Sequence, residues 1–376
     1  MSILIALLIP IIVSFILWLI MYKNCNNKSL SILFVPTLFC IAIAGAMYGG
    51  FVIYNTIDTE YLNFYVEKIR YEEPWNEEIE VRKTRTVKNS DGSTSEETYV
   101  TYETKYHPAK YTATLNNEDD VYIDADTYYK YKHLWNVEEC FIDMHRHYHT
   151  QDGDAYECNW DNNVNTIIPY VTSHHYTNKV LGSESAFKLN YISDKDAQEL
   201  CLYDYPEVHN GEQNPIICYN NKFINDTDIK YLQTFNALNG YDKQIMIYML
   251  IYPNEFNASI VEDQRSYWQG GNKNEFIICC GIDTLTNKVN WAECFSWQDD
   301  ITLDINCRNY INTMDSLNVI KVVDYLNDNI DLWHRKEFSD FAYLSVPIST
   351  KQTFVIYGVI ILITVLSSFI IYKNNG

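Results

Sequence analysis

Hydrophobic positions in this chain gather into three long runs and a series of short ones. Residues 3–22 and 30–54 contain no Asp, Glu, Lys, Arg or His, and only Lys23-Asn24-Cys25-Asn26-Asn27-Lys28-Ser29 separates them. A third such run covers residues 353–372. A bilayer core of roughly 30 Å is crossed by about 20 apolar residues in a helix. The pattern therefore predicts an N-terminal transmembrane hairpin over residues 1–54 and a C-terminal transmembrane helix, with everything between them tethered at both ends. The first run has no basic leader segment and no small-residue cleavage site, so it is expected to be retained. Gly45 and Gly49 form a G-x-x-x-G pair, which would let the first helix, the third helix or another subunit approach closely.

The intervening chain reads as two subdomains. Residues 55–221 are β-rich. Within them, residues 78–88 and 96–105 flank the polar cluster Asn89-Ser90-Asp91-Gly92-Ser93-Thr94-Ser95, a hairpin signal. Arg82, Lys83, Arg85 and Lys88 on one strand would face Glu96, Glu97 and Glu103 on the other. With so few aliphatic residues the hairpin should project as a solvated ribbon, which could serve as a contact arm. A short helix follows over 124–135 behind an acidic cap. Residues 139–150 then read as a strand that puts His145, His147 and His149 on one face, about 7 Å apart in succession. Either these are exposed histidines or they begin a divalent-metal site, with Asp143, Asp152, Asp154, His174 and His175 as further ligands.

Residues 222–345 alternate helix and strand. Ile229, Leu232, Phe235 and Leu238 share one helical face that Asn239-Gly240 would end. Residues 244–252 are apolar almost throughout, as in a strand buried on both faces. Ser259-Ile260-Val261-Glu262 has the form of a capping box, and Gly270-Gly271 would stop the helix it opens. Strands at 276–282 and 289–297 follow, then a helix from about Ser316 carrying Val319, Val322, Leu326, Ile330 and Trp333. The predicted order is α-β-α-β-β-α, and the predicted fold class is α+β. Ile245, Ile247, Met249, Ile251, Phe276, Ile278 and Val322 are the expected core. Trp268, Gly270, Gly271, Asn272, Lys273 and Asn274, a turn of Gly, Asn and Lys between two core elements, are the expected ligand- or partner-binding residues.

This order, with residues 245–252, Trp268-Gln269-Gly270-Gly271-Asn272-Lys273-Asn274 and residues 276–282, resembles the TPM domain family over about a third of the chain. The resemblance implies a membrane-tethered module, with the phosphatase activity or calcium binding reported for some members. Where that family usually has Asn-Gly before the second strand, this chain has Asn274-Glu275.

Charge narrows the partners. All 49 acidic residues lie between Asn55 and Gln352, and removing Lys23, Lys28 and Lys373 from the 28 Lys and Arg leaves 25 there. A domain at −24 repels nucleic acid and anionic lipid surfaces. The 32 tyrosines, with abundant Asn, Ile, Asp and Lys, are the bias of an AT-rich genome and suit a virus, phage or low-GC microbe. Tyr and Trp would then fill much of the core, with their polar tips needing partners. Eight cysteines lie in the domain; they would form disulfides in an oxidising space or stay reduced and buried. Lys23, Lys28 and Lys373 place the short loop inside by the positive-inside rule, and sequons at Asn225 and Asn257 fit an external domain. No G-x-S-x-G, P-loop, G-x-G-x-x-G or H-E-x-x-H occurs. Two functions are expected from these features: a non-enzymatic, membrane-anchored protein whose extracytoplasmic domain (55–352) binds a protein partner or builds an envelope or membrane assembly, or a membrane-bound TPM-like hydrolase or metal-dependent enzyme.

Overall fold

The computed structural model describes residues 2–25, 31–144, 153–185, 187–219 and 221–375. Helices α1 (Ser2–Cys25) and α2 (Ser31–Thr56) lead directly into strand β1 (Ile57–Glu72). The β-rich half continues with β2 (Trp75–Lys88), β3 (Thr94–His107), β4 (Lys110–Leu115), β5 (Asp120–Tyr122), α3 (Ala125–Trp135), β6 (Cys140–Ile142), β7 (Ala155–Asn159) and β8 (Pro169–Thr177). Two short helices, α4 (Lys179–Gly182) and α5 (Asp194–Glu199), bridge to the second half. There β9 (Ile216–Cys218), α6 (Asp226–Gly240), β10 (Met246–Pro253), α7 (Ile260–Tyr267), β11 (Glu275–Ile282), β12 (Val289–Ser296), α8 (Thr302–Asn312) and α9 (Val319–Asp328) follow, and α10 (Thr350–Asn375) comes last. The fold is α+β, as expected.

Helices α1, α2 and α10 pack together. Within α2 and α10, Thr37–Thr56 and Thr350–Ser367 are each long and apolar enough to cross a membrane. Their contact runs through Cys40, Ala44, Ile356 and Ile360, each pair four residues apart and so on one helical face. Cys40 Sγ lies 3.2 Å from Thr364 Oγ1. Within the chain, neither Gly45 nor Gly49 receives another helix, since a methyl group added at either would meet nothing within 4 Å; of the expected partners this leaves another subunit. Where the helices leave the bundle, the carboxamides of Asn55 and Gln352 clasp each other through bonds of 3.2 and 2.8 Å. The domain therefore closes on itself where α2 ends and α10 begins.

Strand β1 belongs to both halves of the domain. Its first nine residues pair with β8, and from Val66 on it pairs with β4 on one side and, from Lys68, with β7 on the other. Phe64, Val66, Ile69, Ala113, Leu115, Tyr128, Tyr131 and Trp135 make the core beneath it. As the composition suggests, aromatic rings do much of the packing and their tips are mostly satisfied. Tyr71 stacks on Tyr111 at 4.9 Å, Tyr128 Oη donates to Glu139 (3.0 Å) and Trp135 Nε1 to the Thr166 carbonyl (3.0 Å). Helix α3 starts as expected, with the Asp124 carboxylate accepting from Thr127 N at 2.7 Å. The strand expected over 139–150 is shorter: β6 ends at Ile142. Strands β2 and β3 pair over fourteen residues each in a sheet of their own; β2 starts three residues early and stops at Lys88 as expected, while β3 extends two residues past each expected end.

The second sheet has the order β12-β11-β10-β9, with β9, β10 and β11 parallel and β12 antiparallel. All eight residues of β10 and of β11 are buried. Helices α6, α8 and α9 cover one face, and α7 with the segment around Tyr203 covers the other. The seven expected core residues all lie in the first of these layers. Cys279 and Cys280 point to opposite faces, as a strand requires, and the nine cysteines from Cys40 to Cys307 are unpaired among the described residues. Three local expectations change. Ser259 makes no side-chain cap; its amide donates to Asn257 Oδ1 at 2.8 Å instead. Gly240 is the last helical residue and is needed for packing, since a Cβ there would lie 2.3 Å from the Asn63 carbonyl oxygen. The last helix is capped by Asn318 and stops at Asp328, so Ile330 and Trp333 lie beyond it, and α8 precedes it.

Candidate functional site

The Trp268–Asn274 turn forms because α7 cannot continue. Gln269, Gly270 and Gly271 take φ of +52°, +88° and +75°, a run of left-handed backbone that glycine tolerates best. Gly271 also has no room for a side chain, because a Cβ would lie 2.8 Å from Glu275 Oε2. The turn does not present the open rim of polar groups expected of it. Asn272, Lys273 and Asn274 are buried, and Glu275 is fully so. The turn faces β1 and β8 rather than solvent.

Its hydrogen bonds show what it does mechanically. Glu275 accepts from the Asn272 amide (2.8 Å), from Asn272 Nδ2 (2.8 Å) and from Tyr205 Oη (3.1 Å). Tyr176 of β8 donates to Asn272 Oδ1 at 2.9 Å, and Asn274 Nδ2 donates to the Tyr61 carbonyl of β1 at 2.7 Å. Lys273 Nζ reaches the Glu337 carbonyl at 3.4 Å and sits 4.8 Å from the centre of the Phe341 ring. Close by, buried Glu60 of β1 pairs with Arg335 at 2.6 Å and with His174 Nδ1 at 3.0 Å. These groups bind the second sheet to the first. Burial raises Glu275 to about 7, against the pull of its Asn272 and Tyr205 donors. Burial, helped by the nearby Arg335 charge, lowers Lys273 to about 8.

Above the turn lies a cleft of about 310 Å³, lined by Asp58, Lys188, Tyr205, Tyr267, Trp268 and Asn272 among others. Tyr205 and Trp268 stack at 4.0 Å to form an aromatic wall. Asp58 is held by Tyr176 Oη (3.2 Å) and Asn178 Nδ2 (2.8 Å). The cleft has the volume of a small ligand site, but no nucleophile with a base beside it is formed by these contacts. A wider cleft of about 530 Å³ separates α3 from α6, with the Tyr131 hydroxyl buried in its wall and without a partner among the described residues. Parallel sheets usually bind ligands at the carboxyl ends of their strands. Here Cys218, Phe223, Tyr252 and Pro253 fill that position, leaving about 10 Å³.

His145, His147 and His149, with Asp152, lie outside the described residues. Of the other suggested metal ligands, His174 is bonded to Glu60 and His175 Nδ1 lies 2.9 Å from Thr59 Oγ1. No group of three or more His, Cys, Asp or Glu with metal-holding geometry occurs among the described residues. Glu275 was missed by the sequence reading, although a carboxylate opening an eight-residue apolar strand was a signal. Glu60, Tyr176 and Asp58 gave none, since nothing local ties β1 and β8 to a turn some 100 to 200 residues on. No protein-family model, curated protein or solved structure matches this chain.

Proposed function

We propose that this is a non-enzymatic protein anchored in a membrane by α1, α2 and α10. Its acidic domain (55–352) stands on the extracytoplasmic side, where it binds a protein partner and so serves a membrane or envelope assembly. We read residues 225–333 as a TPM-like module on the order of their elements alone. The ribbon of β2 and β3 carries the binding reading. Among the described residues, the fourteen on each strand pair along their backbones only with each other, and their side chains are exposed or half-exposed. At about 3.4 Å per residue the ribbon is some 45 Å long. Two strands alone are marginal in water and leave two rows of unpaired backbone groups, a template for another chain. Ile79, Tyr99, Val100, Tyr102 and Tyr106 add apolar surface along its length. In the cleft, by contrast, Asp58, Tyr205 and Asn272 are already hydrogen-bonded within the protein.

Shortening the ribbon tests this reading. Replacing residues 79–103 by Asn-Gly keeps the stem pair Glu78–Thr104 and closes it with a favoured two-residue turn. Chemical crosslinking in native membranes should give an adduct with the wild-type chain that the shortened chain, folded and present at the same level, does not form. An adduct that survives the shortening contradicts the ribbon as the contact arm.

A further inference from the structure

We propose that the outer edge of β2 pairs antiparallel with the same edge of a second copy of this chain, centred on Val81, to give a four-stranded sheet β3-β2-β2-β3. This rests on the ribbon being the contact arm and names its partner. The charge pattern carries it. The first half of β2 holds Glu77, Glu78 and Glu80, and the second holds Arg82, Lys83, Arg85 and Lys88. Run against itself, the strand sets one half beside the other.

Symmetry limits the registers. Residues directly opposite in an antiparallel pair project on the same face, and a two-fold axis normal to the sheet preserves faces. So β2 can meet its copy only about a residue that faces itself. Centring on Glu78, Glu80, Arg82, Lys83 or Arg85 sets that charge against its own copy. Centring on Ile79 opposes Glu78 to Glu80, and centring on Thr84 opposes Lys83 to Arg85. Val81 is different. About Val81, Glu80 meets Arg82 and Glu77 meets Arg85, each twice by symmetry; Ile79 meets Lys83, Glu78 meets Thr84, Trp75 meets Val87, and no like charges oppose.

The existing ribbon extends the alternation. Arg85 already holds Glu97 of β3 through bonds of 3.0 and 2.8 Å, and Glu77 sits opposite Lys105. The row across four strands would read Glu97, Arg85, Glu77, Lys105, each charge beside its opposite. The outer edge of β3 does less well. Its best centre, Thr101, gives only Glu97 against Lys105. The two-fold arrangement closes, whereas pairing β2 with β3 of the next copy would propagate.

Cysteine crosslinking of the full chain in membranes tests the register. Two Val81 positions would have Cα atoms about 4.5–5.5 Å apart, within disulfide range, while two Val87 positions, on the same face, would be about 40 Å apart. Val81→Cys should form a disulfide-linked dimer under mild oxidation, and Val87→Cys and the parent chain should not. Glu80→Arg in the Val81→Cys chain should lower the dimer yield roughly tenfold by turning two attractions into repulsions. Adding Arg82→Glu should restore it. Equal crosslinking at Val81 and Val87, or failure of the charge swap to restore the dimer, overturns the proposal. If Val81→Cys gives no dimer while the shortened ribbon still loses its adduct, the contact arm stands and the partner is a different protein. If neither changes, both readings fall.

Discussion

Glu275 shows how one buried side chain can set the turn that joins two halves of a domain. It is fully buried, forms no ion pair among the described residues, and is held by Asn272 and Tyr205. Since burial raises it from 4.5 to about 7, the folded chain binds its proton more tightly than the unfolded chain does. Its contribution to stability is therefore complete below pH 4.5 and is lost as pH rises through 7, a change of roughly 3 kcal/mol. Denaturant unfolding of the detergent-solubilised chain should show this fall between pH 5 and 8, and Glu275→Gln should flatten it. An unchanged slope in the variant would remove Glu275 as its source. At the same turn, the exposed polar groups that the sequence predicts would make Asn272→Ala with Lys273→Ala nearly neutral to stability. The structure reverses that expectation, because Glu275 loses its Nδ2 donor and Tyr176 loses the nearer of its two acceptors, keeping only Asp58. The double variant should cost at least about 2 kcal/mol in the same unfolding measurement. A cost under roughly 0.5 kcal/mol would show that the joint is not stabilising.

Among the elements, β10 is legible directly from the sequence. Its eight apolar positions have no period of two, as a strand covered on both faces requires. Truncating Ile247 to Ala should destabilise by about 2–5 kcal/mol, read from the shift in the denaturant midpoint. The ribbon was legible too, because its charges alternate across a turn cluster and leave nothing to bury. Other elements needed the fold. Strand β9 is three residues between Pro215 and Tyr219, paired to β10 by long-range contact rather than by propensity. Helix α8 had a readable stripe in Leu303, Cys307 and Ile311 but begins in an acidic stretch that resembles a solvated loop. The Trp268–Asn274 turn lies where the sequence expects a turn but is buried rather than open, since its cover comes from β1 and β8, far away in the chain. Gly240 was read for the wrong reason. Gly240→Ala would gain about 1 kcal/mol of helix propensity on an open surface, but here it should destabilise because the new methyl group meets the Asn63 backbone. A stabilised variant in thermal unfolding would show that α6 and β1 can move apart.

The whole molecule is built outward from one junction. Helix α2 runs without a break into β1, and β1 supports the first sheet, receives the staple from the second, and leads through Glu73-Pro74 into the ribbon. The Asn55–Gln352 clasp closes the domain where α10 begins. Such a frame would transmit an anchor's position to an arm at the far end of β1. The central claim is that this frame stands on one side of a membrane, held at both ends. Sealed membranes carrying the native chain can be treated with an impermeant maleimide, and labelled cysteines read peptide by peptide. Cys140 and Cys201 are exposed on the domain, while Cys25 lies at the end of α1 away from it in sequence. The account predicts that Cys140 and Cys201 are modified together from one side, and Cys25 only after the membrane is opened. Modification of Cys25 and Cys201 from the same side of a sealed membrane would contradict it.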